Sequence, residues 1–129
     1  MREEALKHRF QEAKLENDGG ALRDIYEEIF ELSCDWLVNQ NEIVSWDKSE
    51  PDTVDEQQRR NYWLADNRGL VPLAVVSQRR GKEDFSKRHA GVMVVQAKTK
   101  QNNLRTAASM AKSIKRLMRK YRGDFLVNS

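Results

Sequence analysis

The chain contains a single cysteine, Cys34, which excludes an internal disulfide and a cysteine-rich zinc site. No apolar run approaches a transmembrane span, and the first residues are charged rather than signal-like. These absences predict a reducing compartment, cytoplasmic or nuclear, and no membrane contact. Hydrophobic residues make up 39% against 33% charged. A chain of 129 residues is then one domain with a thin core, which a partner or self-association would help to complete. Internal repeats and low-complexity segments are absent too.

What is abundant is charge, divided by sign along the chain. Residues 1–78 carry 9 Lys/Arg against 17 Asp/Glu, whereas residues 79–122 carry 14 Lys/Arg against 2 Asp/Glu. A net of −8 precedes a net of +12, and Asp124 brings the total to +3. Such polarity bears on partners rather than on fold. Either the basic half meets a nucleic acid, or acidic and basic halves meet head to tail between copies. The basic excess is larger than the acidic half can neutralise, which favours nucleic acid.

Residues 2–16 predict a helix with Leu6, Phe10, Ala13 and Leu15 set between charges, stopped by Asn17-Asp18-Gly19-Gly20. Residues 21–39 predict a second and more central helix. Leu22, Ile25, Ile29, Leu32 and Trp36 follow three-four spacing there, flanked by Tyr26, Phe30 and Leu37. Cys34 within it reads as a small buried hydrophobe. Residues 39–52 form a connector holding Ile43-Val44-Ser45-Trp46. Thr53, after Pro51-Asp52 and three residues before Glu56, is a candidate N-cap for a helix over 54–66 presenting Tyr62, Trp63 and Leu64.

After Asn67-Arg68-Gly69, the apolar, β-branched run from Leu70 to Ser77 predicts a strand, which Pro72 confines to an edge or a strand start. Residues 78–89 are polar and basic, a long loop or a short strand with a loop. Residues 91–98 are the most strand-like in the chain. Asn102-Asn103 then caps a helix over 104–121, Gly123 ends it, and Phe125-Leu126-Val127 adds a final strand. The sum is an α/β chain: N-terminal helices, then a small mixed sheet flanked by a long basic C-terminal helix. Its single domain, 1–129, divides into an acidic helical part, 1–66, and a basic strand-helix-strand part, 67–129. An all-α chain is the alternative.

Residues two apart in a strand share a face, so Val92, Val94, Gln96 and Lys98 point one way and Met93, Val95 and Ala97 the other. An amide oxygen at the strand end can help hold a hard cation, and a lysine can orient an attacking water or stabilise a pentavalent phosphate. With this Val94-Val95-Gln96-Ala97-Lys98 strand and an acid upstream at Asp84, residues 54–128 resemble the PD-(D/E)XK nuclease superfamily. The similarity is to its Mrr-like branch, which carries Gln in place of Glu. The resemblance implies the order helix, three strands, helix, strand. It further implies a DNA or RNA endonuclease using Mg2+ or Mn2+, with Asp84 the metal-binding acid, Gln96 and Lys98 the second motif, and Glu56 an extra upstream acid. Without it, Gln96 and Lys98 are the solvated end of a core strand, and no cofactor is expected.

The last helix has Leu104, Ala107, Ala111, Ile114, Met118 and Tyr121 on one face. Around it lies a basic footprint of Arg79, Arg80, Lys82, Lys87, Arg88, Lys100, Arg105, Lys112, Lys115, Arg116, Arg119 and Lys120. No recognition motif accompanies it, so contacts would go to the nucleic-acid backbone. The helix's apolar face lacks Trp and Phe, which argues against a membrane surface. His8 and His89 read as surface residues, His89 being the better phosphate contact. Asp47, Glu50, Asp52, Asp55 and Glu56 read as a solvated connector whose spacing fits no calcium loop. The readings that remain are a nucleic-acid-binding protein with the endonuclease as its most specific form, a non-catalytic nucleic-acid-binding subunit of a larger assembly, and an adaptor. The adaptor's acidic helices, 2–39, would dock a protein partner or another copy through Tyr26, Phe30 and Trp36.

Overall fold

Two helices open the chain and end alike. The computed structural model describes residues 2–77, 79–89 and 91–127; the side chains at 79–82, 86 and 121–127 lie outside the described residues. Helix α1, Arg2–Glu16, buries Leu6, Phe10 and Ala13, which fall on one face at four- and three-residue spacing. Asn17 then turns left-handed at φ 53°. The Asp18 N–H donates to the Ala13 carbonyl at 3.0 Å and the Asn17 N–H to that of Lys14 at 3.2 Å, the paired closure of a Schellman stop. Helix α2, Gly19–Asn39, repeats the device. Asn41 sits at φ 58°, and Glu42 and Asn41 donate to Leu37 and Val38 at 2.9 and 3.0 Å.

Asp18 also caps α2, accepting from the Ala21 N–H at 3.1 Å, so Gly19-Gly20 form its first turn rather than extending the stop. The buried face of α2 is Ile25, Ile29, Phe30, Ser33, Cys34 and Leu37. It is turned from the expected stripe because α1, α5 and the sheet all pack on α2, and Trp36 is left 44% exposed. Burial, with Asp35 and Glu31 nearby, pushes the Cys34 thiol well up, consistent with an inert core position.

The acidic first part is not all helix. Strand β1, Ser45–Lys48, pairs antiparallel with β2, Tyr62–Asp66, which pairs antiparallel with β3, Gly69–Val76. Thr53 caps as expected, accepting from the Glu56 N–H at 3.3 Å. The helix it opens, α3, covers only Val54–Gln57 instead of 54–66. Arg59, left-handed at φ 64°, breaks the chain out of helix. Tyr62 and Leu64 then alternate with Trp63 and Ala65 across β2. Pro72 lies in an interior strand, not at an edge. It is tolerated because β4 pairs with β3 only from Leu73 onward, so no ladder hydrogen bond is lost at its missing N–H.

β4, Met93–Gln96, runs parallel to β3, giving the sheet order β1-β2-β3-β4. Parallel neighbours need a crossover. The segment expected to be a loop or short strand supplies it as helix α4, Arg79–Arg88, which anchors Phe85 against Ala74 and Val94. Beyond β4 the ladder continues, with the Ala97 and Lys98 N–H groups donating to Val76 and Ser77. The chain then folds back so that Lys98 bridges Leu104 and the Arg105 N–H donates to Ala97.

Asn102, at φ 64°, makes the turn rather than a cap. The cap of helix α5, Ala107–Val127, is Thr106, which accepts from the Ser109 N–H at 3.1 Å. A second cap comes from far away: the Glu3 carboxylate of α1 accepts from the Ala107 N–H at 2.8 Å. α5 runs through Gly123, and residues 125–127 are helical, not a closing strand. The fold-back at 98–105 already occupies the end of the β4 edge. The Tyr121 side chain, expected on the apolar face, lies outside the described residues.

Helices α2 and α5 cover one face of the sheet and α1 packs on α2, in a core that includes Phe10, Ile29, Phe30, Tyr62, Leu73 and Ile114. The Phe30 and Tyr62 rings meet at a tilt of 49°, 4.6 Å between centroids. Both sequence halves contribute to this core, which spans Leu6 to Met118. Among the described residues, the other face carries α4.

Candidate nucleic-acid interface

The core stripe of α5 is Ala107, Met110, Ala111, Ile114 and Met118. Helical geometry therefore sends Lys112, Arg116, Arg119 and Lys120 outward, and all four are exposed. Lys115 is different: half-buried, it pairs with Glu42 at 3.0 Å and is neutralised within the fold. Lys100 is exposed on the turn after β4, and Lys87 and Arg88 are exposed at the end of α4. The side chains of Arg79, Arg80 and Lys82 lie outside the described residues.

Arg105 turns inward and is held by neutral acceptors. Its Nη1 donates to the Gln96 carbonyl at 3.1 Å. Its Nη2 donates to the Ser109 carbonyl at 2.9 Å and to Ser113 Oγ at 2.6 Å, and its Nε to Ser109 Oγ at 3.3 Å. Burial, and then the nearby Arg116, lower the pKa of this guanidinium. The two arginines share a cavity of about 290 Å³ with Val95, Gln96, Thr99, Ser113 and Leu117. No carboxylate is among these lining residues. The cavity lies at the carboxyl end of β4, the usual place for ligands on parallel strands. Residue counting missed Thr99, Ser109 and Ser113. The signal available was the four-residue spacing of Ser109 and Ser113, which puts them on one stripe of the helix that follows Arg105.

Gln96 and Lys98 meet through the backbone: the Gln96 side-chain amide donates to the Lys98 carbonyl at 3.3 Å. Burial, and then Lys14, depress the Lys98 ammonium, whereas a carboxylate beside it would raise it. Asp84 is exposed on α4, and Phe85 beside it takes the buried position. Glu56 lines a different cavity, of about 170 Å³, with Glu27, Arg23, Arg59, Tyr26, Asn61, Tyr62 and Val75. Asp84 and Lys98 line neither cavity. Lys98 has the Lys14 ammonium as its charged neighbour, and Glu56 shares its cavity with Glu27, Arg23 and Arg59. Among the described residues, no group of three His, Cys, Asp or Glu is placed to hold a metal ion.

His8 is exposed, 3.5 Å from Glu12, and the His89 ring lies 4.6 Å from that of Phe85. Asp55 of the acidic connector is tied to Arg60 at 2.7 Å. Among the described residues, no helix is long and apolar enough to cross a membrane. No family model, curated protein or solved structure matches the chain.

Proposed function

We propose that this chain binds nucleic acid along the outer face of α5, without cutting it. The observation that carries the reading is the row Lys112, Arg116, Arg119 and Lys120, exposed on a helix whose opposite face is core. Among the described residues none of the four is in an ion pair, while Lys115 is. The disposition of the acids supports the same reading over head-to-tail association. Glu27 and Glu28 bond Lys48 and Arg9, Glu31 accepts from Tyr62, and Asp35 accepts from Trp46. Glu42 holds Lys115, and Glu3 and Asp18 cap helices. Much of the acidic half is thus used inside the fold, which leaves the basic face facing outward.

The order implied over residues 54–128 is not the one found: α3, β2, β3, α4, β4 and α5 follow one another, and residues 125–127 are helical. The test is binding to a fixed oligonucleotide across a salt series. Arg116→Glu with Arg119→Glu is expected to weaken binding at least tenfold and to reduce the salt slope by about 2. An unchanged slope would overturn the reading. Cleavage with Mg2+ or Mn2+ that Lys98→Ala abolishes would replace it with the endonuclease.

A second reading, docking of a protein through α1 and α2, is favoured by Leu15 at 87% and Trp36 at 44% exposure. It requires Trp36→Ala to change the oligomeric state or partner binding while nucleic acid has no effect.

A further inference from the structure

We infer that the cavity between the end of β4 and α5 receives the terminal phosphate monoester of a nucleic-acid strand. The inference rests on the binding function proposed above and assigns the cavity a ligand of its own.

Shape makes the first argument. Lys112, Arg119 and Lys120 stand on the convex outer side of α5, where a phosphodiester backbone can pass. Arg105 and Arg116 line a recess of about 290 Å³. A recess of that size has room for a group projecting from a strand, such as an end phosphate.

Charge makes the second. Two guanidinium groups repel across a lining without a carboxylate. A monoester carries about −1.5 to −2 at pH 7 and presents three acceptor oxygens, whereas a diester linkage carries one negative charge. The dianion is therefore the better counter-charge for two arginines. The hydrogen-bond inventory agrees. Arg105 is fixed by the Gln96 carbonyl, Ser109 and Ser113, so its position is set before any ligand arrives. Ser113 Oγ accepts from Arg105 and Thr99 Oγ1 accepts from the Asn103 N–H at 3.2 Å, which leaves each hydroxyl proton to donate. Arg116, exposed and lining the cavity, supplies a second fork suited to phosphate.

The test compares one oligonucleotide sequence carrying a 5′-phosphate, a 3′-phosphate or hydroxyls at both ends, by fluorescence anisotropy with the full chain. One phosphorylated end is expected to bind about tenfold tighter than the hydroxyl-ended strand. Arg116→Ala is expected to erase that preference and to weaken the hydroxyl-ended strand no more than Arg119→Ala does, whereas Arg119→Ala is expected to weaken all three strands alike with the preference retained. Because both arginines are exposed, neither change removes a core contact. Inorganic phosphate separates a strand end from a free anion as the ligand. Competition against the phosphorylated strand alone supports the inference, and equal competition against all three overturns it. Equal affinity for the three strands overturns the terminal-phosphate site and leaves the binding function standing, whereas no binding by any strand removes both.

Discussion

On one face of the sheet three helices enclose a continuous core of large side chains. On the other a single ten-residue helix is held through Phe85. Tyr62, Leu64, Leu73 and Val95 are fully buried on the first face, while Trp63 is partly exposed and Leu70 is 63% exposed on the second. The contrast teaches how a chain with 39% hydrophobic residues specifies a sheet. It concentrates them on one side, where a one-residue slip of register would expose them all.

The largest loss is expected at Phe30, whose ring meets that of Tyr62 in a tilted contact on the thick face. Phe30→Ala is expected to lower stability by about 3–5 kcal/mol in urea denaturation, a large share of an ordinary domain's margin. On the thin face, Phe85→Ala is expected to cost less and to act locally. Amide hydrogen exchange should rise across α4 while β2 and β3 stay protected. Uniform acceleration through the sheet would mean that the two faces open together.

The smallest effect is expected at the rim, where Lys98 is half-buried near Lys14. Its folded pKa lies below the ordinary 10.5, so the unfolded chain binds that proton more tightly. The cost is present in full below the depressed pKa and is relieved as pH rises toward 10.5. Lys98→Met should therefore be more stable than the parent at neutral pH, with the gap narrowing as pH rises in parallel denaturation series.

The fold class was legible where periodicity was strong. Leu6, Phe10 and Ala13 marked α1, and the apolar run before Gln96 marked β4. Tyr62-Trp63-Leu64 misled because three consecutive apolar residues fit a helix or a strand, and only pairing with β1 and β3 decides between them. α4 was hidden because, among the described residues, it has one buried anchor, and its existence follows from β3 and β4 being parallel, which is a property of the whole sheet. The cations could be counted from the sequence. Which of them face outward could not, because Lys115 is claimed by Glu42 and Arg105 by Gln96, Ser109 and Ser113. Both depend on where the chain folds back after Lys98.

The Glu3 carboxylate at the start of α5 has a kinetic consequence. Its hydrogen bond joins residues 104 apart in sequence, so closing it requires the intervening chain to be already collapsed. An interaction made after the folding barrier adds little to the rate of folding and acts on the rate of unfolding. Glu3 is in that sense a latch: Glu3→Gln should leave the refolding limb of a chevron nearly in place and raise the unfolding limb.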